Sequence, residues 1–79
     1  MAIDLILFSG SECSLCDLAK DLLEQVAEQC PYSLTTIDVK AERQYYHQYG
    51  ARIPVVFRED TQSELGWPFD KAQLLEFLK

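Results

Sequence analysis

Two cysteines separated by two residues, Cys13 and Cys16, offer the clearest chemistry in this sequence. At the start of a helix this spacing brings both sulfurs to one face, one turn apart, where they can form a disulfide. Unpaired backbone N–H groups at a helix start favour negative charge, which would make Cys13 the thiolate nucleophile. Cys16, one turn further in, would be more buried and act as the resolving thiol. Glu12 and Asp17 beside the pair oppose this effect, because each repels a second negative charge.

Two other interpretations of the cysteine pair remain open. A CxxC pair is also half of a structural zinc site, for which Cys30 and His47 are the remaining candidate ligands. Structural zinc sites usually supply their ligands as two close pairs, which Cys30 and His47 do not form, so we expect no metal. Alternatively, the two thiols are incidental. The position of the pair between a predicted strand and a predicted helix favours redox chemistry.

The elements that would position this dithiol follow from the apolar pattern. The nearly continuous apolar run at residues 3–8 predicts a central strand covered on both faces. From Cys13 on, apolar residues recur at three- and four-residue spacing and predict a helix of about four turns that Pro31 ends. We expect a strand at 32–39, a helix at 41–49 capped by Asp38 and followed by Gly50, a strand at 53–57, a hairpin strand at 62–65 and a helix at 70–78.

This β-α-β-α-β-β-α order predicts an α/β fold with a mixed four-stranded sheet and helices on both faces. The first two strands should be parallel because a helix connects them, and the last two antiparallel because a tight turn does. With 79 residues, of which 48% are apolar and 25% charged, the chain has room for one domain at residues 1–79.

Charge and composition limit the partners and the compartment. Thirteen acidic and seven basic side chains give a net charge of −6, which repels phosphate backbones and anionic lipid. We therefore expect neither nucleic acid nor membranes as partners. Three cysteines do not make the disulfide framework of a small secreted domain, and the first apolar run is too short for a signal peptide or a membrane span. The expectation is a cytoplasmic monomer.

Longer motifs give this chain a family resemblance. Phe8-Ser9 leading into Cys13-Ser14-Leu15-Cys16, the segment Arg52-Ile53-Pro54-Val55-Val56 and the predicted element order resemble glutaredoxin-like members of the thioredoxin superfamily over essentially the whole chain. The segment Gly66-Trp67-Pro68-Phe69-Asp70 is similar to the Trp-Pro-Phe-Asp signature of small bacterial glutaredoxin-like proteins. The resemblance implies a thiol–disulfide oxidoreductase that acts on protein or low-molecular-weight disulfides, with a reductase or glutathione as electron donor.

The resemblance also implies roles for residues outside the pair. Pro54 would follow a cis peptide bond and face the dithiol, and the backbone of Ile53 would pair with an extended substrate; a trans proline on an edge strand is the alternative. Arg52 would balance the acidic residues or meet a substrate carboxylate, unless it is an ordinary loop cation. Trp67 is either an aromatic platform near the dithiol or part of the core, and Asp70 either a helix cap or a contact for a substrate amine.

Three departures from the family pattern bear on glutathione. Gly10 stands where glutaredoxins carry a Lys, Ser14-Leu15 replaces Pro-Tyr between the cysteines, and Trp67 replaces a Gly that helps to hold the γ-glutamyl end of glutathione. These departures argue against standard glutathione binding, so glutathione stays an open co-substrate and no resident cofactor is expected. The second hypothesis is a binding module of the same fold, which would hold a metal, an iron–sulfur cluster or a protein partner without turnover.

Overall fold

The computed structural model describes residues 3–11 and 13–79. In that part of the chain the elements are β1 (Ile3–Ser9), α1 (Ser14–Ala27), β2 (Tyr32–Asp38), α2 (Arg43–Tyr49), β3 (Val55–Arg58), β4 (Ser63–Gly66) and α3 (Lys71–Phe77). Their order is the one that the sequence predicts. None of the helices among these residues is both long and apolar enough to cross a bilayer.

The four strands form one mixed sheet in the order β2-β1-β3-β4. β1 is parallel to β2, with Ile3 opposite Tyr32, and antiparallel to β3, with Phe8 opposite Val55. β3 and β4 form an antiparallel hairpin. The prediction of a central first strand, a parallel first pair and an antiparallel last pair is therefore confirmed.

Side chains of the sheet pack into two apolar clusters, one on each face. Leu5 and Leu7 of β1 lie in the larger cluster, which also contains buried residues of α1, of α3 and of the α3 C-cap, namely Ala19, Leu23, Val26, Leu74 and Leu78. Phe8 lies in the smaller cluster with Val39, Val55 and Tyr49 of α2. Because α1 and α3 cover one face and α2 covers the other, the expected arrangement of helices on both faces is confirmed.

The start of α2 differs from the prediction. The carbonyl of Asp38 accepts hydrogen bonds from the N–H groups of Ala41 and Glu42, both at 3.1 Å, and its Oδ1 accepts one from Lys40 N at 2.9 Å. These bonds make a turn, so α2 begins at Arg43 and not at residue 41. The prediction that Asp38 caps α2 is wrong. The N-cap is Glu42, which makes no side-chain capping bond.

The third strand also begins later than predicted. β3 starts at Val55 because Pro54 has no N–H with which to join the hydrogen-bond ladder. Ile53 and Pro54 instead belong to the loop between α2 and β3, and the Pro54 carbonyl accepts a hydrogen bond from Trp67 N at 3.1 Å. This contact extends the β3–β4 hairpin by one residue pair and places Trp67 beside Pro54.

Candidate dithiol site

The sequence predicts Cys13 as the first residue of the helix, whereas in the structure it is the N-cap of α1, one residue before the helix begins at Ser14. Its backbone is extended, with φ −111° and ψ 101°, and its Sγ accepts a hydrogen bond from Cys16 N at 3.2 Å. The two sulfurs are joined as a disulfide, and the Cα atoms lie 5.2 Å apart. The sulfur of Cys13 thus occupies the place of a capping oxygen, where a backbone N–H at the positive end of the helix points at it.

The two cysteines differ in exposure. Cys13 is half-buried, whereas Cys16 is only 1% exposed and faces the core from the first turn of α1. A reagent or substrate from solvent therefore reaches the sulfur of Cys13 first. This is the order of exposure that the sequence predicts for a nucleophile and a resolving thiol.

The sheet register brings the loop before β3 to the dithiol. Phe8 lies opposite Val55, and continuing this antiparallel pairing places Pro54 and Ile53 beside the residues that follow β1. A Cβ atom on Gly10 would lie only 2.9 Å from Ile53 Cδ1, so the two loops are in close contact. The Ile53–Pro54 peptide bond is cis in this structure. Ile53 and Pro54 therefore lie next to the loop that leads into Cys13.

Trp67 is both a core contact and a surface residue. Its side chain is partly buried against the larger cluster, and its ring lies 5.0 Å from that of the buried Phe69 in a T-shaped arrangement of 72°. The backbone bond to Pro54 holds Trp67 at the same end of the sheet as the dithiol loop. Trp67 thus combines the two predicted placements: part of its side chain packs against the core, and part remains at the surface.

Asp70 caps α3, as one of the two sequence interpretations has it. Its Oδ1 accepts a hydrogen bond from Gln73 N at 2.8 Å, and Gln73 Oε1 accepts one from Asp70 N at 3.0 Å. This reciprocal capping box satisfies two backbone donors that would otherwise lack partners. Asp70 remains exposed, so a contact with a substrate amine stays a prediction.

Arg52 is engaged by a carboxylate of the protein itself. Its Nη2 lies 3.0 Å from Glu64 Oε1, and its guanidinium carbon lies 5.4 Å from the centre of the Tyr49 ring. The hydroxyl of Tyr49 donates to Glu64 Oε2 at 2.5 Å. Burial, followed by this bond to Glu64, raises the pKa of Tyr49 to about 12. The hydrogen bonds from Tyr49 and Arg52 lower the pKa of Glu64 below its ordinary value.

The cysteine pair at the start of α1 and the mixed four-stranded sheet agree with one family. The model of the glutaredoxin-like domain (DUF836) matches residues 4–79. The chain belongs to this glutaredoxin-like family. The family resemblance inferred from the motifs is thereby confirmed.

Solved structures resemble this glutaredoxin-like domain over nearly its full length. The X-ray structure of target protein XcR50 from X. campestris has a TM-score of 0.82 at 30% identity, covering 94% of this chain and 93% of its own. The solution structure of the same target has a TM-score of 0.79 at 31% identity, covering 99% and 92%. Protein Ne2328 from Nitrosomonas europaea shares the fold, with a TM-score of 0.85 at 20% identity and coverage of 100% and 94%. The comparison with curated proteins gives no match.

A cation that the sequence analysis missed lies over the dithiol loop of this glutaredoxin-like domain. A Cβ atom on Gly10 would lie 3.7 Å from Lys40 Cε, so the Lys40 chain covers the position where glutaredoxins carry their own Lys. Lys40 follows β2, whose last residue pairs with Ser9 at the end of β1. This parallel register is the signal that would have placed Lys40 near the motif. Of the two acidic neighbours, Asp17 is exposed, and Glu12 lies outside the described residues.

The other two candidate ligands for zinc do not join the cysteine pair. Among the described residues, no group of three or more His, Cys, Asp or Glu side chains is placed to hold a metal ion. Cys30 follows the far end of α1, a helix about 21 Å long at about 1.5 Å for each of its 14 residues, whereas the pair lies at its start. His47 is exposed on α2, the helix on the opposite face of the sheet.

Proposed function

We propose that this glutaredoxin-like domain is a cytoplasmic thiol–disulfide oxidoreductase that exchanges electrons through Cys13 and Cys16. One observation supports the proposal: Cys13 is only half-buried, sits at the N-cap of α1 and is bonded to the buried Cys16. A nucleophile nearer the solvent with a resolving thiol one turn behind it is the arrangement that thiol–disulfide exchange needs.

The exchange takes place in two steps. The Cys13 thiolate attacks one sulfur of a substrate disulfide, forms a mixed disulfide and releases the other substrate sulfur as a thiolate, which takes up a proton. Cys16 then loses its proton and attacks Cys13 Sγ, which releases the second substrate thiol and leaves the Cys13–Cys16 disulfide. Two electrons pass from the dithiol to the substrate. A reductase or a thiol such as glutathione must then reduce the protein disulfide before another turnover.

Ile53, Pro54 and Trp67 supply the substrate contacts in this proposal. Among the described residues no hydrogen bond uses the backbone of Ile53, and in this proposal its N–H and C=O pair with an extended substrate. Pro54 lies in the loop next to Cys13, and Trp67, whose N–H bonds the Pro54 carbonyl, offers an aromatic surface beside it. A protein disulfide or a low-molecular-weight disulfide lying along Ile53 would present its sulfurs to Cys13.

Trapping of the mixed disulfide tests this assignment. Cys16→Ser, reduced and then exposed to hydroxyethyl disulfide, should retain one hydroxyethylthiol group on Cys13, detected by intact-mass and peptide mass spectrometry. In the wild type Cys16 should resolve the adduct to the Cys13–Cys16 disulfide. Cys30→Ser is the matched control and should behave as the wild type. A binding module without turnover predicts no faster adduct formation at Cys13 than at Cys30, and that result would overturn the proposal.

A further inference from the structure

Glu64 lies in β4, and each of its two carboxylate oxygens has a hydrogen-bond partner. One partner lies in α2 and the other in the loop between α2 and β3. Oε1 lies 3.0 Å from Arg52 Nη2, and Oε2 accepts the Tyr49 hydroxyl at 2.5 Å. Neither partner is near Glu64 in sequence, so the packing of α2 and its following loop against the β3–β4 hairpin brings the three side chains together. The Glu64 side chain is 30% exposed, whereas the Arg52 side chain is 51% exposed.

Tyr49 makes this arrangement more rigid than an ordinary surface ion pair. Its ring is 4% exposed and stacks on Phe8 of β1, with centroids 4.0 Å apart and planes 12° from parallel. The Tyr49 carbonyl also accepts a hydrogen bond from Arg52 N at 2.8 Å. Arg52 is therefore held at its backbone by Tyr49 and at its guanidinium by Glu64, with the Tyr49 ring beside that guanidinium.

The position of Arg52 matters because it directly precedes Ile53. A substrate that pairs with the backbone of Ile53 passes within one residue, about 3.8 Å along the chain, of the Arg52 Cα. An arginine fork is well suited to a substrate carboxylate, and glutathione carries carboxylates at both ends. To meet such a carboxylate, Arg52 has to leave Glu64.

We propose that Glu64 is a specificity-determining residue: by holding Arg52, it withholds the guanidinium from anionic disulfides, so that the site favours neutral disulfides over glutathione disulfide. The inference rests on the proposed function, since it concerns which disulfides Cys13 attacks. The lowered pKa of Glu64 supports it, because the carboxylate stays ionised and paired well below neutral pH. The net charge of −6 acts in the same direction by repelling anionic substrates.

Glu64→Gln tests the proposal because it removes the charge and keeps an acceptor for the Tyr49 hydroxyl. The readout is the ratio of kcat/KM for glutathione disulfide to kcat/KM for the neutral hydroxyethyl disulfide. We expect this ratio to rise about two- to fivefold, the factor that corresponds to one partly exposed ion pair. Glu59→Gln is the matched control, since Glu59 is an exposed acid just beyond the other end of β3, and it should leave the ratio unchanged.

The gain must depend on Arg52. Arg52→Gln in the Glu64→Gln background should return the ratio of kcat/KM values to that of the wild type. If the increase came from a general electrostatic effect, including attraction by Lys40, the ratio would stay high, and that result would overturn the proposal. If Glu64→Gln does not fold, Glu64→Thr removes the carboxylate with a residue that strands favour. A wild type that reduces neither disulfide contradicts the proposed function. A wild type that reduces both, with an unchanged ratio in the folded variants, contradicts only the role of Glu64.

Discussion

The side chain of Ile53 fills the space that a side chain on Gly10 would need. An added Cβ would lie 2.9 Å from Ile53 Cδ1, closer than such atoms pack in proteins. No described glycine has a positive φ, so the backbone conformation at residue 10 does not require a glycine. The close approach of Ile53 is what favours a residue without a side chain there. This contact keeps the loop before Cys13 against the loop that carries Pro54.

Replacement of Gly10 tests this contact. Because Ile53 Cδ1 is the end of a flexible side chain that can move aside, we expect Gly10→Ala to lower the free energy of unfolding in urea by no more than about 1 kcal/mol, the low end for overpacking. Ile53→Val removes the Cδ1 atom that clashes, so Gly10→Ala should cost much less in the Ile53→Val background. Gly66→Ala is the control, because a Cβ there meets no atom within 4 Å. Strictly additive effects of the two changes would show that the loops are not in contact.

Asp70 has two candidate roles that two substitutions separate. Asp70→Ala should lower stability by about 1 kcal/mol through loss of the cap and lower Tm by about 4–8 °C. Asp70→Asn should keep Tm close to the wild type, because Asn caps a helix nearly as well. If Asp70 also contacts a substrate amine, Asp70→Asn should raise KM for glutathione disulfide without this loss of Tm. If Asp70→Asn leaves KM for glutathione disulfide unchanged, Asp70 acts only as the helix cap.

Tyr49 should make stability depend on pH under alkaline conditions. Its folded pKa of about 12 is raised above the ordinary value of 10.0, so the unfolded state releases its proton first. The contribution of Tyr49 is complete below about pH 10 and is lost as pH rises towards 12. Urea unfolding across this range should show a smaller decrease in the free energy of unfolding for Tyr49→Phe than for the wild type.

At pH 7 Tyr49→Phe should lower the free energy of unfolding by about 1.5–3 kcal/mol, since it removes the hydroxyl that bonds the Glu64 carboxylate. Tyr46→Phe, at an exposed position, should match the wild type in both measurements.

The difference in exposure between the cysteines predicts an order of labelling. In the reduced protein, iodoacetamide at neutral pH should modify Cys13 well before Cys16, because Cys16 is 1% exposed and only the thiolate reacts. Peptide mass spectrometry of samples quenched over time measures both rates, and brief unfolding in urea should equalise them. Equal rates in the folded protein would contradict the assignment of Cys13 as the nucleophile.

The dithiol and the element order could be predicted from the sequence because their signals are local. The CxxC spacing at a strand–helix junction and the apolar periodicity each lie within one segment. The start of α2 could not be placed as well, since the segment offers two acidic residues, Asp38 and Glu42, ahead of the helix. Only the structure shows that the Asp38 carbonyl already holds the intervening N–H groups in a turn.

The charged partners around the site could not be predicted because strand register decides them. Glu64 lies on the exposed side of β4, where an acidic residue carries no local signal, and pairs with Arg52 only once the hairpin has formed. The sequence predicts that Arg52 balances the acidic residues or meets a substrate carboxylate, with an ordinary loop cation as the alternative, and these roles stay predictions. Lys40 likewise reaches Gly10 only through the parallel pairing of β1 and β2.

A redox titration shows whether Cys13 and Cys16 form a reversible redox couple. The protein is equilibrated in buffers of reduced and oxidised glutathione, or of dithiothreitol, and the Cys13–Cys16 disulfide is quantified by mass spectrometry after acid quenching. We expect one two-electron transition of about 29.6 mV per tenfold change, with a midpoint within the range of about −120 to −270 mV spanned by thioredoxin-fold oxidoreductases. Cys30→Ser should retain this transition, and Cys13→Ser and Cys16→Ser should lose it. A pair that forms no intramolecular disulfide across this range would contradict the account.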